Sequence, residues 1–164
     1  MVPSPRRGPA VAAALLAAGG LAGCGAGGDT GCGPITRESL DPSYLVHVLS
    51  DDDAVEYTSD PPTSGPHRAG PPQEGVVRDP LPRPIQVGIL ERGDVLLQHR
   101  PDLDDASRAQ LEALAGPGVV VAPNPDLPEP VVATAWLYKR TCGSVDVGAL
   151  RELIDARLGR GPES

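Results

Sequence analysis

Phenylalanine is absent from this 164-residue chain, and the aromatic side chains are confined to Tyr44, Tyr57, Trp136 and Tyr138. The core therefore has to be aliphatic. Lysine occurs once, as Lys139, against 13 arginines, and with 20 Gly and 20 Pro this is the bias of a GC-rich coding sequence. No apolar run reaches the roughly 20 residues needed to cross about 30 Å of hydrocarbon. The longest, residues 10–22, is weakened as a helix by Gly19-Gly20. Also missing are a Gly-x-Ser-x-Gly elbow, a His-Glu-x-x-His pair, a Walker loop and a dinucleotide fingerprint. No two cysteines stand in a Cys-x-x-Cys or zinc-ligand spacing. The common hydrolase, metalloprotease and nucleotide-binding signatures are thus excluded.

What is present begins with an address. Arg6 and Arg7 precede the Ala- and Leu-rich run, which ends in Leu21-Ala22-Gly23-Cys24. A basic segment, a short apolar segment and small residues before a cleavage point form an export signal. A Cys directly after Leu-Ala-Gly matches the bacterial lipobox, in which the thiol of Cys24 is acylated with diacylglycerol and becomes the first residue. Gly8-Pro9 directly after the two arginines argues for general secretion over the twin-arginine route. Two acyl chains suffice for stable anchoring. The expected organisation is a lipoprotein signal peptide over residues 1–23, a flexible tether over 24–40, Gly-rich at its start, and a single α+β domain over 41–164.

All 22 acidic residues follow Cys24, whereas two of the 14 basic ones precede it. The mature chain thus sets 12 basic against 22 acidic residues. A surface this negative argues against nucleic acid as a partner; the membrane is reached through the acyl anchor. With Cys24 lipidated, Cys32 and Cys142 remain. Two thiols in an oxidising compartment are most simply a disulfide, with a redox or metal role as the weaker alternative.

Short strands are expected at residues 44–49 and 55–58, flanking an acidic turn over residues 50–53. Asp51-Asp52-Asp53 lacks the spacing and glycine of a calcium loop and reads as solvated. Residues 60–84 carry eight prolines, which predicts a long proline-rich loop without helix or central strand. Strands are expected again at 85–90 and 94–99, joined as a hairpin by Glu91-Arg92-Gly93. Asp102 or Asp104 would cap a helix to about Ala115, which Gly116-Pro117 ends. Residues 118–122 and 131–138 are β-branched strands. Leu150, Ile154 and Leu158, at intervals of four, mark a last helix over 146–158. The expected fold class is α+β: a mainly antiparallel sheet of about five to six short strands, two packed helices and the proline-rich loop.

The most distinctive block is Asp60-Pro61-Pro62-Thr63-Ser64-Gly65-Pro66-His67. Here the chain resembles a bacterial family of secreted or membrane-anchored proteins, the domain of unknown function numbered 3105. The resemblance extends to His47-Val48 and Glu56-Tyr57 upstream, and to residues 87–102, Thr134-Ala135-Trp136 and Cys142 downstream. It implies an envelope location and, because the family has no established activity, says nothing about chemistry. Where the family usually reads His-x-Leu-Glu-His-Gly, this chain has Gly88-Ile89-Leu90-Glu91-Arg92-Gly93; where it reads His-Tyr, this chain has Gln98-His99. If histidines of that family gather around a metal, two ligands are lost here. A guanidinium cannot be deprotonated and cannot ligate. Arg92, paired with Glu91 or a nearby acid, would then stand in for a metal's charge.

His47, His67, Glu91 and His99 nevertheless make a candidate metal-ligand set. Each His reads first as a group that caps a loop or bonds a strand end. Ser64 and His67 lack an evident oxyanion hole, so no serine hydrolase is expected. Thr63 and Ser64 should satisfy backbone donors in the turn, and Trp136 should be core. The leading expectation is a non-enzymatic, lipid-anchored extracytoplasmic domain. It would bind an envelope protein or small ligand through the loop Pro61, Pro62, Thr63, Ser64, Gly65, Pro66, His67. The alternative is a metal-dependent or redox enzyme built on the remaining histidines.

Overall fold

A computed structural model describes residues 1, 31–50 and 55–163. The expected signal peptide, the lipid attachment at Cys24 and the Asp51-Asp52-Asp53 turn lie outside these residues. The described chain is α+β, with one mixed six-stranded sheet and three helices.

The strands are β1 (Thr36–Arg37), β2 (Gly75–Val76), β3 (Val95–His99), β4 (Val119–Pro123), β5 (Val131–Ala135) and β6 (Tyr138–Cys142). The helices are α1 (Arg83–Glu91), α2 (Asp105–Glu112) and α3 (Val147–Arg157). Across the sheet the order is β1-β6-β5-β3-β4-β2. The pairs β1–β6, β6–β5 and β5–β3 are antiparallel, whereas β3–β4 and β4–β2 are parallel. The mainly antiparallel sheet expected from sequence is therefore mixed. Its parallel half arises because β3, α2 and β4 form a crossover unit, and a parallel pair requires such a connection.

Both faces of the sheet are covered. Val95, Leu97, Val119, Val121 and Ala133 pack with Leu111 of α2 and with Leu150 and Leu153 of α3. Leu96, Val120 and Ala122, one residue out of step, pack with Val87, Ile89 and Leu90 of α1. Alternate side chains of a strand point to opposite faces, so one apolar strand supplies two cores. Asp104 caps α2 by accepting from the Ser107 amide at 2.9 Å, and Asp146 caps α3 through the Ala149 amide at 3.0 Å.

Helix α1 replaces the strand expected at residues 85–90, which raises the helix number from two to three. Ile85, Val87 and Ile89 alternate with Gln86 and Gly88 and imitate a strand. However, residues 86–90 are all buried, so no polar face reveals the helical period. Pro84, in the first turn, is pre-organised for a helix and needs no donor there. The hairpin expected after residue 90 is accordingly absent, and Gly93 (φ 88°) turns the chain from α1 into β3.

The strand expected over residues 131–138 is in fact a hairpin, β5 and β6, turned at Trp136-Leu137. Leu137 has φ 61°, a left-handed conformation costly for a side-chain-bearing residue. It is held there from both sides: its amide donates to the Thr63 carbonyl at 3.0 Å, and its carbonyl accepts from the Glu38 amide at 2.9 Å. The strands expected at residues 44–49 and 55–58 are not formed. One isolated bridge at His47 is all that the first retains. Residues 75–76, inside the expected loop, form β2 instead. Among the described residues, no helix is long and apolar enough to cross a membrane.

Of the stretch assigned to a tether, residues 31–40 run along β6. Thr36 and Arg37 pair with Lys139 and Tyr138. The Cys32–Cys142 disulfide is formed and joins positions 110 residues apart.

Candidate functional site

His47 and His67 are brought side by side by the backbone. The Val48 amide donates to the His67 carbonyl at 2.9 Å, and the His67 amide donates to the Val46 carbonyl at 3.0 Å. This short parallel bridge sets the two imidazoles edge to face, with ring centres 4.5 Å apart. The segment leading into His67 is itself fixed. The Asp41 amide donates to the Ser64 hydroxyl oxygen at 2.9 Å, and the Tyr57 hydroxyl donates to the Pro66 carbonyl at 2.8 Å. Gly65 has φ 129°, and a Cβ there would stand 2.9 Å from the Tyr57 ring. Only glycine combines that conformation with so close an approach.

The third member comes from α1. The Arg68 amide donates to the Pro84 carbonyl at 3.2 Å and ties the histidine segment to the start of the helix. Glu91, at the end of α1, reaches His67: Oε2 lies 2.6 Å from Nε2. His67 Nδ1 lies 3.1 Å from the Gly65 carbonyl, which only accepts, so Nδ1 donates there and Nε2 is the ring nitrogen turned to Glu91. His67 is fully buried, and despite the short separation Nε2 has no aligned hydrogen-bond partner. A ring nitrogen and a carboxylate oxygen so close need a proton or a cation between them. One ligand atom from each of His47, His67 and Glu91 lies within 4.8 Å of the others. His47 is exposed, so the cluster has a path to solvent.

Burial pushes the Glu91 carboxyl above its ordinary range. The charges of His67, His47 and Arg92 oppose this, while that of Glu163 adds to it. Beside the cluster is a cavity of about 120 Å³, lined among others by His47, Arg68, Gly88, Glu91, Arg92 and Glu163. Gly88 forms its floor at close quarters: a Cβ there would meet the Arg68 carbonyl oxygen at 2.8 Å. The segment after α3 closes one side. The Glu163 amide donates to the Glu91 carbonyl at 3.4 Å, and Gly161 fits where a Cβ would collide with that same oxygen.

Three of the four expected ligands thus meet, and the fourth does not. His99, at the far end of β3, is nearly buried, with Nδ1 2.9 Å from the Arg100 carbonyl. Arg92 pairs with the nearby acid Asp94, at 3.4 Å, and not with Glu91. Pro61, Pro62, Thr63, Ser64, Gly65, Pro66 and His67 are all buried. They pack as an inner scaffold that aims His67. Thr63 donates to Glu38 at 2.8 Å, and Ser64 satisfies the amide of Asp41, 23 residues away, instead of one in its own turn. Trp136 is core, edge-to-face with Tyr44 at 6.5 Å. Sequence reasoning missed Arg68 and Glu163 as cavity walls. No spacing signals them, because Glu163 is 72 residues from Glu91.

Two neutral imidazoles and one carboxylate make a ligand set suited to a borderline divalent ion such as zinc, and poor for calcium or magnesium. Three protein ligands leave at least one position for an outside group.

Among known proteins, residues 47–164 match the model of a family described as "Protein of unknown function (DUF3105)". All three clustered residues fall within that span. No curated protein and no solved structure matches the chain.

Proposed function

Because the chain belongs to the DUF3105 family, whose description assigns no function, we propose a role from the site itself: the domain binds one divalent transition-metal ion through His47, His67 and Glu91. The observation that carries this reading is the state of His67. Its Nδ1 is committed to the Gly65 carbonyl, and its Nε2 faces the Glu91 carboxyl at 2.6 Å in a buried setting. A backbone carbonyl orienting the far nitrogen is the usual support of a metal-bound histidine. Arg92 lies 3.4 Å from Asp94 and is not a member of the ligand cluster, so its presence is compatible with an ion.

Binding would displace protons from the imidazoles and the carboxyl, so affinity should fall as pH is lowered. The location proposed is the outer face of a cell membrane, with Cys24 as the lipid anchor. It rests on the Leu21-Ala22-Gly23-Cys24 motif. With three protein ligands and an open position, the site also resembles catalytic zinc centres. A metal-dependent enzyme is therefore the second reading.

The experiment is calorimetric titration of chelator-treated protein with zinc and cobalt. One ion per chain is expected, with affinity weakened on the order of a hundredfold in Glu91→Gln and His47→Ala, on the scale of losing one ligand. Equal binding by wild type and both variants, or none by any, would reject the site. For the anchor, Cys24→Ser should move the protein from the membrane fraction to the soluble fraction; unchanged fractionation would reject it.

A further inference from the structure

The segment after α3 folds back onto the end of α1. The Gly159 amide donates to the Gly93 carbonyl at 2.8 Å, and a Cβ on Gly93 would stand 2.9 Å from the Gly161 nitrogen, so the two stretches pack backbone to backbone. Two residues after Gly161, the Glu163 amide donates to the Glu91 carbonyl at 3.4 Å. Glu163 therefore starts from a point beside Glu91 and carries a side chain of the same length. Both line one cavity with His47. We propose that Glu163 is a fourth protein ligand of the metal, brought onto the ion by rotation of its side chain. The inference rests on the metal reading above and assigns the position that His47, His67 and Glu91 leave open.

Freedom, reach and charge agree. The Glu163 carboxylate stands outside the group of ligand atoms that lie within 4.8 Å of one another. Its side chain is exposed, so other staggered rotamers are open to it at little cost. Its charge already acts on the Glu91 carboxyl more strongly than that of His47, which belongs to the cluster. Two carboxylates facing one cavity repel, and a cation between them turns the repulsion into attraction. Arg68 and Arg92 line the same wall and attract Glu163 as well, but a divalent ion carries twice the charge of either. Both imidazoles bind an ion in their neutral form, so one carboxylate leaves a net positive charge and the second cancels it. Two histidines and two glutamates also fill the four positions of tetrahedral zinc. The segment after α3 then closes the site, whose task becomes holding the ion more than presenting it to a substrate.

Cobalt titration of chelator-treated protein provides the test, because the visible spectrum of cobalt reports its coordination. Wild type, Glu163→Gln and His47→Ala are titrated at low and at high salt. Glu163 is exposed, so its variant should fold as wild type does. Glu163→Gln should bind cobalt about ten- to a hundredfold more weakly. Its spectrum should shift as water replaces the carboxylate, and the loss should persist at high salt. Amide exchange at residues 159–163 should slow when cobalt binds wild type, and not when it binds Glu163→Gln. A weakening that salt abolishes, with an unchanged spectrum, would overturn the ligand and leave Glu163 a charge acting through solvent. Binding and spectrum equal to wild type would overturn it too, while a loss in His47→Ala keeps the metal site standing. Failure of wild type to take up cobalt at all would remove both readings together.

Discussion

At the scale of single residues, the charged groups beneath the site are set by burial against specific partners. Glu38 shows the balance. Burial raises its carboxyl, but hydrogen bonds from Ser59, Lys139 and Thr63, with the Lys139 charge, outweigh that and hold it below the ordinary value. The ammonium of Lys139 is 2.9 Å away and almost buried. A carboxyl with a depressed folded-state pKa contributes stability above its unfolded value and loses it as pH falls through the folded one. Acid unfolding should therefore shift in Glu38→Gln, with a shallower loss of stability at the acidic end. At neutral pH the variant should be destabilised by about 3 kcal/mol, because it leaves a buried ammonium unpaired. Denaturant titrations at several pH values measure both. Sequence had singled out Lys139 only as the lone lysine, since no local pattern marks a partner about 100 residues away. The ligands themselves were legible: His47, His67 and Glu91 stand out by residue type, although nothing in the chain separated them from His99.

The elements show where periodicity succeeds. Helices α2 and α3 follow from their aspartate caps and apolar stripes, and β4 from its β-branched run. Helix α1 reads as a strand because its apolar residues meet the sheet on one side and the histidine segment on the other. The same double burial governs Gly88. Replacing an interior helical glycine by alanine ordinarily gains up to about 1 kcal/mol. Here the added Cβ would press on the Arg68 carbonyl oxygen at 2.8 Å, which is backbone and cannot swing away. Gly88→Ala should therefore destabilise, and by moving Arg68 and its neighbour His67 it should also weaken metal binding. Thermal melts with and without zinc test this, and a variant more stable than wild type would refute the close packing.

Across the whole molecule, one sheet carries two cores, and the disulfide ties residues preceding β1 to the end of β6. Closing a loop on the order of 100 residues is worth about 4.7 kcal/mol in the chain-entropy model. Cys32→Ser with Cys142→Ser should lower stability by a few kcal/mol while sparing the metal site, measured by denaturant midpoint and zinc titration; loss of zinc uptake in a folded double variant would contradict that separation. The sequence by itself determined the α+β class, the aliphatic core and the family, since composition, caps and a specific proline-rich block are local properties that survive without coordinates. Only the tertiary structure decided the Cys32–Cys142 bond, the mixed sheet, the helix at residues 83–91 and the meeting of His47, His67 and Glu91 without His99. Those depend on which strand lies beside which and on burial from two sides, and neither is written in the spacing of residues along the chain.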